Sequence, residues 1–293
     1  MYLVVQSYYF FLTSTLLSAH SACLCRASAL ETRQTTVPAV PRPSPSPRIE
    51  RNLEHSGNGQ YGHDTVSSGG AGEGGPTVKN ITVGGIAVQD FYLGTFGVNP
   101  KPTNFTSFDD GSPSLMTTLK EQKYIPSVSF GYTAGALYRL TSVLASLARG
   151  GYDGSEFVDN NITFTFAADN ERDLIVAIQS ITTASTDPSN HIATGLLPNL
   201  IYAYIDSTVP QIWLPLEACQ AFEAEFGLIY DNTTELYLVN SSLHDALLTR
   251  NASVTFSLGI VTQGGNAVDI TLPYAAFALA APPPYRGLRN STS

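Results

Sequence analysis

Leu200-Ile201-Tyr202-Ala203-Tyr204-Ile205-Asp206-Ser207-Thr208-Val209-Pro210-Gln211-Ile212-Trp213-Leu214-Pro215 is the stretch on which the fold is decided. Aliphatic and aromatic residues over 200–205 predict a strand. It runs without a polar break into Asp206-Ser207-Thr208. After a second apolar stretch Pro215 opens a helix, whose Leu216, Cys219, Phe222 and Phe226 form one apolar stripe before Gly227 stops it. A carboxylate at the end of a buried strand, beside a hydroxyl, is how an acid/base aspartate is held in place. An aspartate in an ordinary turn is the competing reading of the same residues.

Outward from this stretch the chain keeps its β character. Short runs rich in Val, Ile, Thr, Tyr and Phe at 78–83, 86–96, 128–132, 161–166, 174–181, 235–239, 254–258 and 268–272 alternate with turn residues, which predicts an all-β fold. Helices are few and short. Besides the one opened by Pro215, Ser112-Pro113 ahead of Leu115, Met116 and Leu119 reads as a cap and first turn closed by Lys120 and Lys123. Ser242-Leu243-His244-Asp245 resembles a capping box. His244 reads there as a surface helix residue.

The first 58 residues differ in kind. Residues 1–25 are an apolar stretch ending in small residues, which reads as a secretory signal, with a membrane anchor as the alternative; any membrane association would come through this segment. Residues 26–58 are a Pro/Ser-rich leader whose composition cannot build a core. Asn-X-Ser/Thr sequons at Asn80, Asn104, Asn161, Asn232, Asn240, Asn251 and Asn290 agree with passage through a glycosylating compartment, hence a secreted or cell-surface protein.

Several functions are disfavoured. A net charge of −9 with no basic stripe argues against nucleic-acid partners. Three cysteines, Cys23, Cys25 and Cys219, form no CxxC pair, and the five histidines fit no metalloprotease helix, so no metal site and no cofactor is expected. Gly70, Gly72 and Gly75 match G-x-G-x-x-G, but Pro76 and a strand follow where a phosphate site needs a helix N-terminus, so a hairpin tip is the better reading. There is no G-x-S-x-G elbow.

The strand–Asp206-Ser207–helix stretch resembles the second catalytic loop of the pepsin-like aspartic proteases, and further segments follow that family's order. Gly62-His63-Asp64-Thr65-Val66 is similar to the strand leaving the family's flap, and Phe91-Tyr92-Leu93-Gly94-Thr95-Phe96-Gly97 to a later Ile-Leu-Gly-Leu segment. Leu115 through Phe130 resembles a helix and following strand, Gly150-Gly151-Tyr152-Asp153 the Gly-Gly-Ile/Tyr-Asp turn, and Ile270-Thr271-Leu272-Pro273 a late strand. The likeness covers residues 59–285, in the style of fungal members.

The resemblance implies a bilobal all-β fold with few short helices: 59–163 as remnant of a truncated N-terminal lobe, 164–285 as the C-terminal lobe, 286–293 as a tail. It implies a monomer acting on extended peptide or protein substrates. Asp206 would hold the second-lobe catalytic position, Ser207 the hydroxyl that braces the neighbouring loop, and Tyr61 the flap tyrosine.

Two departures bear on activity. The family's glycine is Thr208 here and its next hydroxyl residue is Val209, which cannot donate to a carboxylate. The partner aspartate belongs in a loop before the flap, and no Asp precedes Asp64; Asp64 itself lies on the strand after the flap, and Asp109, Asp110 and Asp153 sit in turns. Two carboxylates sharing a proton are what the reaction needs. The expectation is an aspartic endopeptidase homologue, inactive as this chain. A non-catalytic secreted glycoprotein is the alternative, and two copies each lending Asp206 to a shared site is a weaker third. On the same resemblance the partner of Cys219 would lie in a missing part of the fold.

Overall fold

The computed structural model describes residues 59–68, 75–86, 97–104, 111–133, 146–166, 174–184, 194–205, 212–233 and 235–278. They are mostly β-strand with three short α-helices, as the sequence predicts. The described residues divide into two compact units, one drawn from those within 59–132 and 147–154, the other from 133, 146 and those within 155–278.

In the first unit β1 (Gly59–Ser67) and β2 (Thr77–Ile86) form an antiparallel ribbon. Asp64 pairs with Ile81 but Val66 with Val78, so β2 carries one extra residue, and Asn80 absorbs it at φ 57. Asn tolerates this left-handed conformation better than other residues with a Cβ, so a bulge forms here. A two-residue pair follows, β3 (Thr103–Asn104) with β4 (Gly111–Ser112). The first helix, α1, spans Leu115–Glu121.

The cap of α1 is Ser114, not Ser112. Ser114 Oγ accepts the Thr117 N–H at 3.1 Å, whereas Ser112 is committed to β4 opposite Thr103. Met116 and Leu119 pack with Val78 and Ile81 into a small core, and β5 (Phe130–Thr133) pairs with β6 (Ser146–Arg149) beyond it. Gly150 turns the chain at φ 82. A Cβ there would meet Ile125 Cβ and Pro126 Cδ at 2.8 Å, so space and backbone both require glycine.

The second unit is built on a five-stranded antiparallel sheet. Its strands are β7 (Ile175–Thr183), β8 (Thr194–Gly195), β9 (Ile201–Tyr204), β12 (Ser253–Gly259) and β13 (Ala267–Pro273). Between β9 and β12 lie α2 (Leu216–Phe226), the hairpin β10 (Ile229–Asp231) with β11 (Leu236–Leu238), and α3 (Ser241–Thr249). The order is β13-β12-β7, with β8 and β9 on the far side of β7.

Val254, Phe256 and Leu258 alternate inward from β12, as a half-buried strand should. Strand β7 breaks that period: Val176 and Ile178 point into the core and so does Ile181. The ladder slips to allow it. Ser257 pairs with Ser180 but Leu258 with Ile178, leaving Gln179 as the extra residue of a bulge.

Helix α2 lays Ala218, Cys219, Phe222 and Phe226 on this core, after Pro215 at its N-cap, and ends on Gly227 at φ 69. Leu216 is not on the stripe: it is 41% exposed, and Ala218 takes the buried position because i, i+4 spacing from Phe222 selects it. The cap of α3 is Asn240, not Ser242. Asn240 Oδ1 accepts the Leu243 N–H at 2.9 Å and also the Ser242 hydroxyl at 3.0 Å. Its other end is a Schellman motif, with Asn251 N–H on Leu248 O, Ala252 N–H on Leu247 O, and Asn251 at φ 47.

The strand expected over 161–166 does not form. Asp159 Oδ1 takes the Asn161 N–H and Asn160 Oδ1 the Ile162 N–H, each at 3.0 Å, and Asn161 stands at φ 55. These local side-chain bonds replace a ladder. The strand reading over 86–96 falls, past Ile86, on residues outside those described, as does the glycine segment at 69–74.

Candidate functional site

Strand β9 is tied to β7 along its whole length, Ile178 opposite Ile201 through Ile175 opposite Tyr204, and the Ile205 N–H donates to Leu174 O at 2.9 Å. Its alternation is clean. Ile201, Ala203 and Ile205 pack on the core, while Leu200, Tyr202 and Tyr204 are exposed. Residue 206 therefore follows directly on a strand held by both backbone pairing and core contacts.

Residues 206–211 are not among the described residues, and the candidate aspartate Asp206 and hydroxyl Ser207 lie within them. The chain resumes at Ile212, which packs on the same core as Ile205, and Leu214 is buried before Pro215 starts α2. Both flanks of the candidate loop are thus anchored in one core.

Tyr61 sits on β1 opposite Gly84, at the end of the ribbon away from the 68–76 connection. Its ring covers Gly84: a Cβ there would fall 3.0 Å from Tyr61 Cε1. The side chain is half exposed. Asp64 on the same strand is exposed, and its Oδ1 accepts the Thr65 N–H at 2.7 Å, a local bond of the kind a turn or strand-edge Asp makes.

Of the sequon asparagines, Asn80, Asn161, Asn232, Asn240 and Asn251 have exposed side chains. The side chain of Asn104 and the whole of Asn290 fall outside the described residues. Their settings differ. Thr82, two residues past Asn80, hydrogen-bonds the Ser112 hydroxyl, and Ser253, two past Asn251, starts β12.

His244 departs from the surface reading. Its Nδ1 lies 2.9 Å from the Tyr274 hydroxyl in a partly buried pair that joins α3 to the 3-10 turn at Tyr274–Ala276, and burial holds the Tyr274 phenol above its ordinary pKa. The Tyr237 phenol is pushed up to about 12, chiefly by burial and then by the Glu223 carboxylate, toward which its hydroxyl points at 3.5 Å. Cys219 is fully buried on α2, its thiol directed at Leu214 O at 3.5 Å. Its position in the apolar interior explains its place in the helix stripe without reference to a disulfide.

Among the described residues no three His, Cys, Asp or Glu side chains gather in a group able to hold a metal ion. No helix there is long and apolar enough to cross a membrane. Sequence reading missed Gln179, whose amide nitrogen donates to Val261 O at 2.7 Å and Gly264 O at 2.8 Å and so fixes the β12–β13 loop. The broken alternation of Val176, Ile178 and Ile181 was the available signal for a bulge there.

No protein-family model matches this chain, and no curated protein does. Among solved structures, the crystal structure of an aspartic proteinase from Irpex lacteus is similar, with a TM-score of 0.47 and 15% identity, covering 74% of this chain and 61% of that one. The match spans less than two thirds of that proteinase's length.

Proposed function

We propose that this chain is a homologue of the pepsin-like aspartic endopeptidases, with Asp206 in the second-lobe catalytic position and Ser207 bracing the neighbouring loop. The observation that carries this reading is the path of the chain through the second unit: β9 paired into the sheet, then Asp206-Ser207, then core-anchored Ile212 and Leu214, then α2. That is the order in which the family's motif places strand, aspartate and helix. The molecules that such a site would take are extended peptides or proteins, with no cofactor. The apolar N-terminus and the sequons support a secreted or cell-surface location.

The chemistry of the family requires two carboxylates at close range, because only then does one stay protonated to polarise the carbonyl while the other takes a proton from water. A polypeptide offering Asp206 alone lacks the second group. Purified as these 293 residues it does not hydrolyse peptide bonds. The test is incubation with a denatured protein substrate at about pH 4, where such pairs hold one proton. Pepstatin-sensitive cleavage lost in Asp206→Asn refutes the inactivity and keeps the assignment of Asp206. Cleavage indifferent to that substitution refutes the assignment.

A second reading, a non-catalytic secreted glycoprotein that keeps the fold for binding, draws on Thr208 and Val209, which depart from the family's loop chemistry. An immobilised statine peptide separates the two. Retention weakened in Asp206→Asn supports the aspartic position, and equal retention of both forms supports the scaffold.

A further inference from the structure

From Gly151 to Phe166 the chain makes neither helix nor strand, and the boundary between the two compact units falls within it, between Gly154 and Ser155. Most of the segment is open to solvent, with Tyr152 70% exposed, Val158 90% and Phe166 61%, while Phe164 packs against the core of the second unit. Exposed backbone without a hydrogen-bonded ladder is where proteases cut. Apolar residues presented in this way are what an endopeptidase of broad apolar preference selects. An open segment rich in such residues is a liability for a protein outside the cell.

Asn161 stands in the middle of this segment. Its side chain is exposed, its φ of 55 turns the chain, and Thr163, which completes the sequon, is exposed as well. The three other sequons with all three residues described are engaged by the fold, while Asn232 is exposed in the β10–β11 turn with its Thr234 outside the described residues. Asn240 Oδ1 caps α3 and holds the Ser242 hydroxyl, Thr82 is bonded to Ser112, and Ser253 lies within β12. Asn161-Ile162-Thr163 belongs to no helix or strand, so its acceptor amide and its hydroxyl remain open in the folded chain.

We propose that Asn161 carries an N-linked glycan whose function is to shield the 151–166 segment from proteolysis. The inference rests on the secretory part of the proposed function and not on its catalytic part. In the transfer, the bond from the sugar C1 to the pyrophosphate oxygen of a lipid-linked oligosaccharide breaks and a bond from C1 to Asn161 Nδ2 forms. The lipid pyrophosphate leaves with the electron pair, and one Nδ2 proton passes to a base of the transferase. Asn161 Oδ1 is untouched.

The full chain, with its own N-terminus and Asp206→Asn to remove any hydrolysis of its own, is secreted from a glycosylating eukaryotic host. The comparison is Thr163→Ala, which destroys the sequon but keeps the asparagine that φ 55 favours; Asn161→Gln would confound glycan loss with backbone strain. The expected result is a glycosidase-sensitive mass increase on the peptide bearing Asn161, and thermolysin cleavage within 151–166 at least ~10-fold slower than in Thr163→Ala. Equal cleavage of the two proteins overturns the proposal. Glycan at Asn80, Asn232 or Asn251 with Asn161 bare overturns it and leaves the secretory reading standing, and a chain bare at every sequon overturns both.

Discussion

Replacing Gly259 by alanine tests how the second unit holds the connection between β12 and β13. The backbone at Gly259 is not left-handed, so alanine carries no conformational penalty there, but its Cβ would lie 2.4 Å from Gln179 Nε2 and 3.0 Å from Cδ. The amide must move, and in moving it releases both Val261 O and Gly264 O. These bonds lie at the surface and water replaces them, so each is worth about 0.5–1 kcal/mol and the pair about 1–2 kcal/mol. Gln179→Ala loses the same two bonds without the clash. The double variant should therefore cost no more than Gln179→Ala alone, apart from a few tenths of a kcal/mol, on the order of the remaining 3.2 Å approach to Val261 O. A coupling energy of about 1–2 kcal/mol results. Equilibrium urea unfolding read by the fluorescence of Trp213, the chain's single tryptophan and part of this unit, measures all four proteins. Costs that simply add would refute the idea that Gly259 acts through Gln179.

Two glycines with positive φ give a matched pair. Gly227→Ala meets nothing closer than Leu243 Cδ2 at 3.9 Å, so only the left-handed backbone is strained and the cost is ~1 kcal/mol; Gly150→Ala adds contacts of 2.8 Å with Ile125 and Pro126 and should cost ~3 kcal/mol. Equal losses in chemical denaturation would remove the packing argument for Gly150. Tyr237 predicts an alkaline limit. Its folded pKa of about 12 exceeds the ordinary 10.0, so the fold favours the protonated phenol; the contribution is intact below pH 10.0 and is lost as pH rises toward about 12. Tyr237→Phe should flatten the fall in stability over that window, and an unchanged profile would contradict the burial of the hydroxyl.

Strand periodicity was legible where one face meets the core: 254–258 and 268–272 lie inside strands of the sheet, and 200–205 contains β9. It failed at 161–166, where Ile162, Phe164 and Phe166 alternate as a strand would. Pattern alone cannot see that Asp159 and Asn160 bind the backbone N–H groups a ladder would need. Helix positions were legible but two of the three caps were not. Ser112 and Ser242 have the right chemistry, and Ser114 and Asn240 won because each stands where its oxygen reaches the N–H three residues on. The strand and helix flanking Asp206 were readable because they belong to this core. Small bulges such as the one at Gln179 depend on how three strands meet, which no single segment encodes.

The sequons bear on the secretory reading less directly than their number suggests, because Asn80, Asn161 and Asn251 also answer a demand of the backbone. All three have positive φ: at a bulge in β2, in the 159–162 turns, and at the residue closing α3. Asparagine at such places needs no glycan to explain it. Glycine, however, meets the same demand at no steric cost, and this chain uses it so at Gly150 and Gly227. What the backbone does not require is a hydroxyl two residues later, yet Thr82, Thr163 and Ser253 stand there in turn. The Thr82 hydroxyl has structural employment, bonded to Ser112, and Ser253 is a strand residue of β12, where Thr183 Oγ1 donates to its backbone carbonyl. Thr163 is exposed outside any strand or helix. Among these three positive-φ sequons the glycan reading is thus carried by Asn161, and the Thr163→Ala comparison puts weight on the one of the three for which the fold offers the least alternative account.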